Sequence, residues 1–131
     1  MEKPKRLWVS GTVMGAMLVM LLGCRTLGIG EPIACTEQFV YGVNVTVLDR
    51  STAGAIAADA TMTLREDAYE EVVTDSWDEA TLSGAGERPG IYAVTVDHPA
   101  YQTWNVAGVV VTADECHVIP VSLTAELVPT P

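Results

Sequence analysis

The sequence predicts an all-β fold, a seven-stranded Greek-key β-sandwich that follows an N-terminal targeting segment. Apolar residues recur at every second position in several separate runs rich in valine and threonine. Clusters of Gly, Pro, Asp and Ser separate those runs at short, regular intervals. Beyond the first two dozen residues, no stretch holds a sustained helical period. Period-two alternation with β-branched enrichment marks strands buried on one face, and many short strands with regular turns mark a sandwich.

Residues 1–6 form a basic head with Lys3, Lys5 and Arg6, residues 7–22 are apolar, and Gly23-Cys24 closes the segment. A cationic head keeps its charges on the cytoplasmic side while the apolar stretch partitions into the bilayer. Broken by Ser10, Gly11 and Gly15, that stretch is short for a stable span of about 20 residues. Leu21-Leu22-Gly23-Cys24 resembles a bacterial lipobox. The resemblance implies a signal peptide over 1–23, cleavage before Cys24, a diacylglyceryl thioether on Cys24 and acylation of the new amino terminus. Two or three acyl chains, at about 0.8 kcal/mol per buried CH₂, anchor far more firmly than one. The expected location is therefore the cell envelope, with the membrane reached through the lipid. Asp after the cysteine resembles an inner-membrane retention signal, so Arg25 favours the outer membrane if the host is Gram-negative. Residues 24–34 then read as the lipidated cysteine and a flexible tether, since Gly28, Gly30 and Pro32 break any regular element. Ten extended residues reach at most about 35 Å, which keeps the domain near the membrane surface.

The β domain is expected over 35–127, with 128–131 as a disordered tail. Its strands are placed near 38–48, 59–65, 69–74, 79–83, 90–97, 101–111 and 116–126. In the first, Phe39, Tyr41, Val43, Val45 and Val47 share a face; in the second, Ala60, Met62 and Leu64 do. Tyr92, Val94 and Val96 repeat the pattern, and Ile119, Val121, Leu123, Ala125 and Leu127 form the longest stripe. Pro120 lies on the polar parity of that last strand and implies an edge there, because proline cannot donate to a ladder.

Val45-Thr46-Val47, Thr52-Ala53-Gly54-Ala55-Ile56 and Ala60-Thr61-Met62-Thr63-Leu64 resemble the opening strands of carboxypeptidase regulatory-like (prealbumin-like) domains. Gly90-Ile91-Tyr92-Ala93-Val94, followed by Ala100-Tyr101-Gln102-Thr103, resembles that family's Gly-x-Tyr-x-Val strand and next turn. The likeness spans 38–127, with Ile56 where a proline is usual and Ala100 where a glycine is usual. It implies a seven-stranded sandwich and a non-catalytic role in folding, stabilising or docking.

Three cysteines are an odd count for an exported chain. With Cys24 acylated, Cys35 and Cys116 remain as a pair for a disulfide in an oxidising space. Free thiols or a metal pair are the alternative, but no further sulfur ligand exists and only His117 lies near in sequence.

The 131-residue chain carries net charge −10 and is 49% hydrophobic. Without residues 1–23 it keeps 108 residues, four arginines, no lysine and 16 acids, a net of −12. Nucleic-acid binding needs clustered Lys and Arg and is excluded as a main activity. One small domain also excludes a multidomain enzyme, and the lack of a second long apolar run excludes a polytopic membrane protein.

Seven acids fall between 66 and 79: Glu66, Asp67, Glu70, Glu71, Asp75, Asp78 and Glu79. Hard cations take several oxygens from one loop, so Ca²⁺ is one reading; a solvated, self-repelling face is the other. The Asp-x-Asp-x-Asp-Gly spacing of a calcium loop is absent. His98 and His117 lack metal-ligand spacing, and no serine lies in a Gly-x-Ser-x-Gly context. Hydroxyisourate hydrolases resemble this domain in architecture, but their Tyr-Arg-Gly-Ser ending is missing. Trp77 and Trp104, with Tyr69 and Tyr101, are candidates for an exposed aromatic platform, Trp104 sharing its phase with Val106 and so leaning to the core. The function expected is a non-catalytic, membrane-anchored interaction or structural module that meets an envelope protein or glycan, with no cofactor. The alternative is a Ca²⁺- or glycan-binding accessory module using the acidic 66–79 segment, with Trp77, Asp75, Asp78 and Glu79 as ligand-binding residues.

Overall fold

Alternating valines dictate the architecture from Val43 onward, because each strand has one face that must leave water. The computed structural model describes Gly30 and residues 33–131, so the 1–23 leader, Cys24 and most of the 24–34 tether lie outside the described residues. The elements are β1 (Tyr41–Asp49), a 3₁₀ turn (Ala57–Asp59), β2 (Thr61–Glu66), β3 (Tyr69–Val73), β4 (Thr81–Gly86), β5 (Gly90–Asp97), β6 (Trp104–Ala113), β7 (Val118–Ile119) and β8 (Val121–Leu127). They form two sheets, β4-β1-β8 and β3-β2-β5-β6-β7. β1 is antiparallel to β4 and parallel to β8, while the larger sheet is antiparallel throughout.

The inner faces of the two sheets share one core. Val43, Val45 and Val47 of β1, Leu82 of β4 and Ala125 of β8 are fully buried from one side. Met62, Leu64, Tyr92, Val94 and Val96 are fully buried from the other. At roughly 1.5–3 kcal/mol for each large apolar side chain removed from water, this layer is the main source of stability. Tyr92 brings a hydroxyl into that core, and it is satisfied: the hydroxyl donates to the Arg88 carbonyl at 2.8 Å and accepts from Arg88 Nη1 at 2.7 Å. Arg88 also binds Glu66, whose other oxygen accepts the Ile91 N–H at 2.6 Å. A Cβ on Gly90 would meet that carboxylate at 2.5 Å, which accounts for the glycine two residues before the tyrosine.

The turn ends are tied by Asp49. Its Oδ1 accepts the Ser51 N–H (2.6 Å), the Ser51 hydroxyl (2.5 Å) and the Thr52 N–H (3.1 Å), and its Oδ2 accepts the Tyr101 hydroxyl at 2.8 Å. The Ser51 hydroxyl above all, then Tyr101, holds the Asp49 carboxyl down to about 2.

Three local expectations are corrected. Phe39 precedes β1 and is 61% exposed instead of sharing the buried face, because its ring lies over Gly86 at the sheet's end. The final strand is two strands: Pro120 interrupts it, β7 pairs with β6 in the larger sheet and β8 with β1 in the smaller. Val118 is consequently buried and Ile119 half exposed, the reverse of the continuous stripe. In β6 Trp104 and Val106 pack against the core on their shared phase, and a bulge opposite Tyr92 to Val94, with Gly108 at φ +74°, passes the inward phase on to Val109 and Val111. Residues 128–131 are not a free tail: Gln102 N–H donates to the Val128 carbonyl (2.8 Å), Thr130 N–H to the Ala100 carbonyl (3.0 Å), and Pro129 bridges Tyr101.

Candidate functional site

Residues 74–80 leave the edge of the larger sheet after β3 and enter the edge of the smaller at β4. They cross the seam between the two sheets and enclose a groove of about 400 Å³. Tyr41, Glu71, Val73, Asp75, Trp77 and Ser83 are among its lining residues. Trp77 is 77% exposed. Its ring centroid lies 6.3 Å from that of Tyr41, which meets Phe39 edge-on at 5.2 Å. Three aromatic rings thus stand in a row beside the groove, two of them largely in water.

The groove's floor is the free edge of β4. Val45 pairs with Leu82, and the Val47 N–H donates to the Ala80 carbonyl at 2.8 Å, so Ala80, Leu82 and Gly84 face β1. The period of two turns the N–H and C=O of Thr81, Ser83 and Ala85 outward. Carboxylates take the two outer positions. Asp78 Oδ1 accepts the N–H groups of Ala80 (2.8 Å) and Thr81 (2.6 Å), and these two bonds hold its carboxyl below the usual range. Glu71 Oε2 accepts the Ala85 N–H at 2.8 Å and the Tyr69 hydroxyl at 2.8 Å. Burial, with Glu71 second, pushes Tyr69 up to about 12. Ser83 keeps its side chain on Asn44 (2.7 Å), while its backbone N–H and C=O point away from β1.

The seven acids of 66–79 do not converge. Glu66 belongs to Arg88, the Ile91 N–H and then Arg88 drawing its titration down; Glu70 pairs with Arg65; Glu71 and Asp78 hold β4. Asp75 and Glu79 face solvent near Trp77 in the crossover. Among the described residues, no three His, Cys, Asp or Glu side chains are placed to hold a metal ion. The aromatic partners expected to form a platform with Trp77 lie elsewhere. Trp104 is half-buried against the core, Tyr101 holds Asp49, and Tyr69 packs on Tyr92 with the Arg88 guanidinium 3.9 Å above its ring. Phe39 and Tyr41 take their place; two aromatics of equal parity at the open start of a strand are the available signal.

Cys35 and Cys116 form a disulfide with their Cα atoms 5.2 Å apart. The same corner carries His117, whose Nε2 meets the Thr36 hydroxyl and whose Nδ1 meets Glu87, each at 3.0 Å. Glu87 also accepts the Val40 N–H at 2.7 Å. Partial burial works to raise the Glu87 carboxyl, but the Val40 N–H and His117 outweigh it and the group titrates low. His98 lies apart, edge-on to Tyr101 at 4.7 Å. No protein-family model matches this chain, and no curated protein matches it in sequence.

Proposed function

We propose that this chain is a non-catalytic interaction module of the bacterial cell envelope, held to the membrane by acyl chains on Cys24 and presenting the Trp77 groove to a partner. The observation that carries the reading is the aromatic row of Phe39, Tyr41 and Trp77 beside a groove, with Phe39 and Trp77 left in water, since exposed apolar patches mark surfaces that a partner covers. The Cys35–Cys116 bridge supports an oxidising compartment. Leu21-Leu22-Gly23-Cys24 supports the lipid anchor, and Arg25 the outer membrane in a Gram-negative host. Counting β7 and β8 as one interrupted strand, the order of the two sheets supports the seven-stranded Greek-key sandwich, and the Tyr92–Arg88–Glu66 cluster gives the prealbumin-like Gly-x-Tyr-x-Val run a structural purpose.

A glycan-binding accessory role is the second reading, favoured by the exposure of Trp77, because sugar rings stack on such faces. Its Ca²⁺ form loses support, as Glu66, Glu70, Glu71 and Asp78 are committed to arginines and backbone amides. The test is metabolic labelling with palmitate in a bacterial host. Label on the wild-type chain, absent from Cys24→Ser and accompanied by release of the variant from the membrane fraction, is the expected result. Label persisting on the variant refutes the anchor.

A further inference from the structure

Edge strands present rows of unpaired amides and carbonyls that template another strand, so proteins cover them. β4 is covered unevenly. Asp78 caps its start and Glu71 its end, while the Ser83 N–H and C=O between them point into the groove, where no strand of the described residues pairs with β4. Ser83 is only 9% exposed, and a backbone N–H turned to the free edge in so closed a place calls for an acceptor. The groove's volume of about 400 Å³ falls at the small end of ligand pockets, room for a short extended segment.

Charge selects the occupant. Glu71 and Asp75 line the groove, and Asp78 and Glu79 flank it, with no arginine or lysine among the lining residues. Arg65 and Arg88, the cations nearest in sequence, are bound to Glu70 and Glu66. A second copy of this chain, acidic throughout its domain and free of lysine beyond residue 5, would bring like charge to like. Trp77 and Tyr41 offer ring faces of the kind that attract ammonium and guanidinium groups.

We propose that the groove takes a short, extended, basic polypeptide segment, which pairs its backbone with Ser83 and lays a lysine or arginine side chain over Trp77 toward Asp75. This inference rests on the interaction-module reading and gives it a partner class and a mode, strand addition at β4.

The experiment uses the full-length chain, purified in detergent micelles, as bait for a random heptapeptide display library. Expected are enriched sequences that alternate Lys or Arg with β-branched residues. The strongest synthetic peptide should lose at least tenfold in affinity when alternate amides of one parity are N-methylated, and little when the other parity is. Trp77→Ala and Asp75→Arg, both in exposed positions, should each weaken it at least tenfold without changing the melting temperature. Indifference to N-methylation at both parities, unaltered affinity with Trp77→Ala, or no enriched peptide would overturn strand addition. A panel of N-acetylglucosamine oligomers is titrated in parallel. Glycan binding that Trp77→Ala abolishes, with no peptide binding, overturns this inference and leaves the module reading intact. Concentration-dependent self-association through β4 overturns it too. Only silence in every arm, with no palmitate on Cys24, removes both.

Discussion

Replacing Cys35 and Cys116 together with alanine removes a crosslink that closes a loop of 81 residues. On the chain-entropy model a loop of that size restrains the unfolded chain by about 4.5 kcal/mol at 25 °C, with about 2 kcal/mol as the low end for native bridges. The folded side should change little. Thr36 to His117, His117 to Glu87 and the Val40 N–H to Glu87 hold the same corner without the sulfurs. For a unit spanning Ile33–Pro131, about 1 kcal/mol corresponds to roughly 4–5 °C, so the variant should melt about 10–20 °C lower. Urea unfolding followed by circular dichroism, on oxidised wild type, dithiothreitol-treated wild type and the double variant, measures the difference. Near-ultraviolet spectra in the absence of urea should be alike for all three. A loss below about 0.5 kcal/mol, or a variant without native aromatic signals before any denaturant, would refute the reasoning; the second result would place the bridge's effect in the folded corner.

Gly84→Ala puts a Cβ 2.7 Å from Leu64 Cδ1 and 3.2 Å from Met62 Cε between the sheets, and overpacking there should cost about 1–3 kcal/mol in urea unfolding. Ala125→Asp buries an unpaired charge at a fully buried position and should lower stability far more than the same change at exposed Thr124; equal effects would mean β8 is placed with the wrong face inward. Asp49 titrates near 2 in the fold, below its ordinary 3.8, so its contribution is complete above about pH 4 and is lost as pH falls toward 2. The urea midpoint of wild type should therefore drop through that window, and Asp49→Asn should flatten the drop; parallel curves would remove the Asp49 network from the account.

The strands are legible in the sequence because period two survives wherever one face is buried and nothing interrupts the ladder. Val43, Val45 and Val47, and Tyr92, Val94 and Val96, obey it without exception. It misleads where a local device resets the phase. Gly108 does so through a bulge that gives β6 one residue more than β5 between Val106 and Val109, and no residue within β6 except that glycine announces it. Pro120 implies an edge, and β7 and β8 are edges; its further effect, sending the two halves to different sheets, depends on β6 and β1 being there to receive them. The disulfide follows from counting thiols. The site is half legible: Trp77 stands out as a surface residue, whereas Tyr41 and Phe39 resemble core positions on parity alone. Acids dense in sequence suggest a shared ligand, but hairpin and crossover geometry points them at separate arginines and amides.

The parallel seam between β1 and β8 also sets an order of events. Chain synthesis delivers β1 before the other strands and β8 after them, so the middle strand of the smaller sheet waits with one flank bare until every other strand of the domain has emerged. Pairings so distant along the chain form slowly, and the waiting hydrophobic ribbon invites adventitious neighbours. Truncation before residue 121 thus strips one flank of β1 for good, and any helper that shields a nascent chain has its longest task at Val43, Val45 and Val47.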